Sequence, residues 1–329
     1  MSVSNTRRPV IAAKPYSLRP PSGRHAHWLH AGAILMIPTI AAAAALAEAF
    51  TGRVTAWQPL LAVSGYVLTM LGITVGFHRL LSHRAFETWS KLRALLAILG
   101  SMAAQGPPIY WASNHRRHHQ FSDDEGDPHS PHWRGQQPLS TWRGLWHAHI
   151  GWTFTHEMTN SAVYCRDLLR DGTISWVNRH YYKWVVLGLV LPAGIGALIT
   201  ASAEGAWQGL LWGGGVRLFI SYHLTNAINS VTHLFGYRSF ATREDSRNNA
   251  WLGLITLGEA WHNNHHACPR SAIFGFFWWE TDIGGLVILG LERLGLVWRV
   301  RKPVERYLDR QRLKAAEPAV PPTAMEPHQ

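Results

Sequence analysis

Cysteine is nearly absent from this chain of 329 residues: Cys165 and Cys268 stand far apart and form no CxxC spacing. That excludes a disulfide framework and a thiolate metal site, and leaves two reduced thiols as the expectation. Acidic residues are also scarce, 20 against 31 Lys and Arg, for a formal charge of +11 and a pI near 10.1. Residues 1–27 contain no Asp or Glu but carry Arg7, Arg8, Lys14, Arg19 and Arg24. They also lack the short apolar run and small-residue cleavage site of a secretory signal, so they read as a basic, membrane-proximal tail. The expected organisation is this tail, a membrane domain over 28–302, and a tail over 303–329 whose Ala-, Pro- and Glu-rich end is disordered.

So basic a chain suggests either nucleic acid or an anionic membrane surface as a partner. Nucleic acid is excluded because the basic residues are spread around long apolar blocks. Mean hydropathy is only −0.07, as His- and Arg-rich segments outside a membrane would make it. Four stretches meet the requirement of about 20 largely apolar residues: 31–49, 56–77, 184–203 and 207–230. Trp57, Trp184 and Trp207 mark span ends, where interfacial belts place tryptophan. A weaker stretch, 92–111, is broken by Gly106, Pro107 and Pro108 and reads as a buried or re-entrant helix. The short connections carry only Arg53, so the positive-inside rule puts both termini and both long segments in the cytoplasm. The expected fold is all-α and integral to a membrane. Two helical hairpins, four transmembrane helices in all, carry a cytoplasmic helical cap; the expected location is a bacterial inner membrane. Arg217 lies inside the fourth stretch, where a charge is costly and is expected to face a cavity or the protein interior.

Histidine is abundant, with 20 residues, and eight of them cluster. His78 and His83 form one group, while His115, His118, His119 and His262, His265, His266 repeat one His-x-x-His-His spacing. Imidazole is the commonest ligand for iron, zinc and copper. Residues i, i+3 and i+4 share a helix face, so each triplet reads as a ligand set pointing one way. His78 and His83 would lie about 140° apart on an ideal α-helix. They can then serve one centre only near a helix end, or else reach two different metals. Eight imidazoles are too many for one tetrahedral zinc, and nitrogen ligation without cysteine suits two irons. Two irons beside a membrane-facing pocket suit activation of dioxygen against an unactivated C–H bond.

The strings GFHRLLSHRAFET (76–88), NHRRHHQFSDDEGDPHSPH (114–132), NSVTHLFGYRSF (229–240) and GEAWHNNHHACP (258–269) resemble the membrane fatty acyl desaturases of the stearoyl-CoA Δ9 type. The resemblance extends over about residues 30–300. It implies two irons held by nine histidines: His78, His83, His115, His118, His119, His233, His262, His265 and His266. It also implies a water held on one iron by Asn229, with Asp127 and His129 orienting ligand imidazoles. Trp111, Asn114 and Arg217 are candidate substrate contacts. The implied reaction is dioxygen-dependent desaturation of a saturated acyl chain at Δ9, carried on CoA or, alternatively, on a glycerolipid or acyl carrier protein. Ser113-Asn114 stands where acyl-CoA enzymes carry Arg-Asp, and Ala260 replaces a glycine. No fused redox domain is visible, so the expected electron donor is an external ferredoxin, rubredoxin or cytochrome b5, drawn to the basic surface. Rival readings are a related di-iron hydroxylase and a membrane metal transporter or sensor. The second is disfavoured because the histidines cluster at span ends and not along the spans.

Overall fold

The computed structural model describes residues 16–18, 23–155 and 157–303. Most of the expected basic tail, and the C-terminal tail beyond residue 303, lie outside the described residues. The part of the tail that is described is structured. Ser17 and Leu18 pair with Thr159 and Met158, and the first helix already begins at Arg24.

Among the described residues, three helices are long and apolar enough to cross a membrane: α1 (Arg24–Phe50), α2 (Trp57–Ser82) and the helix Tyr181–Thr200. Each has ends shifted by a few residues from the sequence expectation. α1 stops where Gly52 takes φ +70°, a left-handed conformation glycine adopts without strain. The two outer helices bury few side chains and expose large apolar ones, among them Ile37, Ile40 and Phe50 on α1 and Leu198 and Ile199 on Tyr181–Thr200. Such apolar surfaces are stable against lipid. α2 is the central element, and its second half is buried all round.

The fourth expected span is helical but not uniform. It runs as Ala203–Gly209, a π-helix Leu210–Val216 and the helix Arg217–Ser230, then tightens into a 3-10 turn, Val231–His233. α2 has the same character: an α-helix to Leu71 and then a π-helix over Gly72–Ser82. The weaker apolar stretch 92–111 is two helices, not one. α3 (Ser90–Ser101) ends before Gly106 and Pro107, and α4 (Pro108–Phe121) starts with proline in its first turn, where the missing N–H costs nothing. α2 and α3 cross at glycines: a Cβ on Gly72 would stand 2.1 Å from the Gly100 nitrogen. That close approach seats the π-helix against α3, with α4 also against it. Among the described residues the sheet content is three two-residue pairings; one of them, Glu87–Thr88 with Val297–Trp298, ties residues 297–298 back to the segment after α2.

Candidate metal centre

The nine histidines implied by the family resemblance converge in two groups. His78, His83, His115, His119 and His265 form one, and His118, His233, His262 and His266 form the other. In each group the nearest ligand nitrogens all lie within 4.8 Å of one another. The grouping corrects the expectation that each triplet points one way. On α4, His115 and His119, four residues apart, face the first group, while His118 faces the second. On the short helix His262–Ala267, His262 and His266 face the second group and His265 the first. Both motifs straddle the pair of sites.

The π-helix explains His78 and His83. Its hydrogen bonds span five residues, and the His83 N–H donates to the His78 carbonyl at 3.1 Å. Residues five apart thus fall on one face, as residues four apart do in an α-helix. Their rings sit 5.0 Å apart and belong to the same group.

Carboxylates hold the outer nitrogens. Glu259 contacts His78 Nδ1, Asp127 Oδ2 lies 2.9 Å from His118 Nδ1, Asp123 Oδ2 2.9 Å from His233 Nδ1, and Glu244 Oε1 3.3 Å from His266 Nδ1. A carboxylate accepts only, so the hydrogen-bonded Nδ1 atoms of His78, His118 and His233 carry the proton and their Nε2 atoms keep the lone pair. The Nε2 atoms then face one another: His78 to His265 at 3.0 Å, His119 to His265 at 2.8 Å, His83 to His115 at 2.7 Å, His233 to His262 at 3.0 Å and His262 to His266 at 3.1 Å. The buried His118 Nε2 has no hydrogen-bond partner.

Lone pairs this close repel unless a proton or a metal ion lies between them. Against burial, Asp123 raises the His233 pKa, but at six of the other rings protonation is opposed. Burial, together with the neighbouring imidazoles, drives His83, His115, His119, His262, His265 and His266 well below the ordinary histidine pKa. A metal ion with metal–nitrogen bonds of about 2.0–2.1 Å needs adjacent donors at about this spacing. The residues therefore fit two nitrogen-ligated metal ions. Three of the carboxylates stay charged despite burial: His118 and His129 hold Asp127 far down, His233 lowers Asp123, and His78 with Arg79 lowers Glu259.

Sequence reasoning found Asp127 and missed Glu259, Asp123 and Glu244. Glu259 and Asp123 stood inside quoted strings, but the positions of His78 and His233 relative to them are set by the fold. His129 orients the site indirectly. Its backbone N–H donates to Asp127 Oδ1 at 3.1 Å, and its ring lies 4.5 Å from that of His118.

A cavity of about 380 Å³ on the side of α1 reaches His115 of the first group, within the range of small-ligand sites. Trp111, Asn114, His115, His129 and Asn229 line its inner part, and His27, His30, Ala31 and Ile34 of α1 its outer part. Trp111 stacks on His115 with ring centroids 5.2 Å apart, and Asn114 accepts from Thr159 Oγ1. Asn229 lies one helical turn before His233 and lines the cavity. Arg217, expected among the substrate contacts, is not in this lining. It is buried between helices, donating to the carbonyls of Gly213 at 2.6 Å, Met102 at 2.9 Å and Gly188 at 3.0 Å. Three carbonyl dipoles satisfy its guanidinium, which makes it a helix-packing residue.

The fatty acid desaturase family model matches residues 55–281. The chain is 45% identical over 280 residues to a hex-5-enoyl-acyl-carrier-protein acetylenase of Moorena producens, covering 84% of this chain and 87% of that protein. It is 36% identical over 234 residues to an sn-1 stearoyl-lipid 9-desaturase of Anabaena variabilis, covering 70% and 79%. It is 38% identical over 240 residues to Delta-9 acyl-lipid desaturase 2 of Arabidopsis thaliana, covering 73% of each. With its histidines so arranged and such relatives along most of its length, the chain belongs to the membrane fatty acyl desaturases.

Proposed function

We propose that this protein is a di-iron, dioxygen-dependent desaturase that introduces a cis double bond, at Δ9, into a saturated acyl chain within a membrane. The observation that carries this reading is the set of converging imidazoles, five and four, of which His115 lines a largely apolar cavity. Bound there, two irons supply the reduction of dioxygen and the attack on an unactivated C–H bond. The nine histidines hold them, three carboxylates fix ring tautomers, and the cavity wall at Trp111 positions the chain and excludes water. The balance is –CH2–CH2– with O2, two electrons and two protons, giving –CH=CH– and two waters. The electrons come from an external donor protein.

A glycerolipid is favoured over CoA as carrier. No Arg or Lys appears among the described residues lining the cavity, and Ser113-Asn114 replaces the Arg-Asp of acyl-CoA enzymes. Two of the relatives named above are acyl-lipid desaturases. The positive charge of the long segments supports a cytoplasmic position for the site.

The test is fatty-acid profiling by gas chromatography–mass spectrometry in a desaturase-deficient host that supplies dioxygen and donor, comparing wild type with His265→Ala. Monounsaturated chains with wild type only support the reading, and derivatisation places the double bond. Hydroxylated products would move the assignment to a hydroxylase. The 45% identical acetylenase supports a second reading, removal of two hydrogens from an existing double bond. Feeding saturated and terminally monounsaturated acids in parallel separates the two.

A further inference from the structure

The histidine centre has two mouths of opposite character. The cavity on the α1 side has no Arg or Lys among its described lining residues. The other mouth is an open bowl of about 790 Å³ whose rim and wall include Arg84, Arg116, Arg243, Arg270 and Arg301, with Glu244 as its one acidic lining residue among those described. His83 and His119 of the first group and His266 of the second line the same bowl. Both metal positions are therefore reached from this side through a ligand imidazole with no residue interposed.

The five arginines are not equivalent. Arg116 is structural, held by Asp167 and by the carbonyls of Leu81 and Ser82. Arg84 pairs with Asp167 at 2.7 Å and Arg243 with Asp124 at 2.5 Å, yet their side chains remain 63% and 75% exposed. Arg270 and Arg301 are exposed, and no ion pair engages them among the described residues. Exposed guanidinium groups are forks suited to carboxylates on a partner surface.

We propose that this bowl is the docking site of an acidic one-electron carrier protein, with Arg270 and Arg301 as its main charge contacts. The inference rests on the desaturase reading, in which each turnover takes two electrons from outside. Two reduced carriers, docking in succession, each give up one electron and leave oxidised. The two protons come from water, and the alkyl chain occupies the opposite mouth throughout. Charge complementarity draws an acidic protein to the bowl. The histidine edges in its wall give a direct path inward.

The experiment uses the full-length, iron-loaded protein in lipid nanodiscs. Binding of a plant-type ferredoxin, a rubredoxin and the soluble domain of a cytochrome b5 is measured against ionic strength. The tightest binder is then measured against the double variant Arg270→Glu/Arg301→Glu. We expect salt-sensitive binding to wild type, weakened at least about tenfold at low salt in the variant, with unchanged iron content and thermal unfolding. An equal loss of the electron-transfer rate under subsaturating donor should accompany it. Salt-insensitive or absent binding of all three carriers to wild type overturns the proposal, as does equal affinity in the variant. Loss of palmitoyl-CoA or anionic-vesicle binding in the variant, with donor affinity intact, assigns the bowl to a phosphate-bearing ligand and also overturns it. A wild-type protein that makes no unsaturated product with any donor, or with dithionite, refutes the desaturase reading instead. Should the double variant misfold, Arg301→Gln alone gives the same comparison with a smaller expected shift.

Discussion

Glu259 stands three residues before His262 in the sequence but against His78 in space. Its charge is maintained in a fully enclosed position by His78 and Arg79, against the cost of burial. Glu259→Gln keeps the shape and removes the charge. We expect an affinity loss for iron of about 10–100-fold, measured by chelator competition on purified protein. His119→Ala and His265→Ala remove ligands outright. Both should insert in the membrane at wild-type levels yet bind less iron and give no desaturated product; normal turnover in either would sink the two-metal assignment.

Arg217 tests a correction at the same scale. Arg217→Met leaves three buried carbonyls without their donor, at about 1–3 kcal/mol for each group left unsatisfied, partly offset by not burying a charge. The expected result is a lower unfolding midpoint in mixed micelles with an unchanged KM for the acyl substrate. A raised KM at unchanged stability would return Arg217 to the substrate contacts.

At the scale of elements, the wide turn of the π-helix decides which groove His83 enters. It depends on the seat between α2 and α3, where Gly72 and Gly100 touch. Gly72→Val places atoms where the Gly100 backbone already stands. Overpacking of this kind costs about 1–3 kcal/mol, and here it should also displace His78 and His83 together. Iron occupancy should therefore fall along with thermal stability, whereas Ala substitution of an exposed α1 residue such as Ile37 should leave occupancy intact. Periodicity could not reveal this element. A rule of 3.6 residues per turn placed the two imidazoles about 140° apart, and the five-residue hydrogen bond brings them to one side.

Across the whole molecule, the converging histidines come from the end of α2, from α4, from the turn at His233 and from the helix His262–Ala267. Metal should therefore act as a cross-link between segments more than a hundred residues apart. Chelation should lower the unfolding midpoint and expose the 233–266 region to protease, both reversed by ferrous iron. An unchanged midpoint on metal removal would mean that the helices alone set the stability.

The clustered histidines were legible in the sequence because their spacing stands out as a motif, and eight of the nine that converge belong to it. The apolar stretches were legible because lipid demands length and composition. Each identifies residues without placing them. His233 was reached only by resemblance, because a lone histidine in an apolar stretch carries no spacing. Tertiary structure decided the division into five and four, since each His-x-x-His-His motif serves two sites and the choice depends on which rings its helix meets. It also decided the carboxylate partners and the enclosure of Arg217. Distances between segments, unlike residue types and local spacings, are set by how the helices pack.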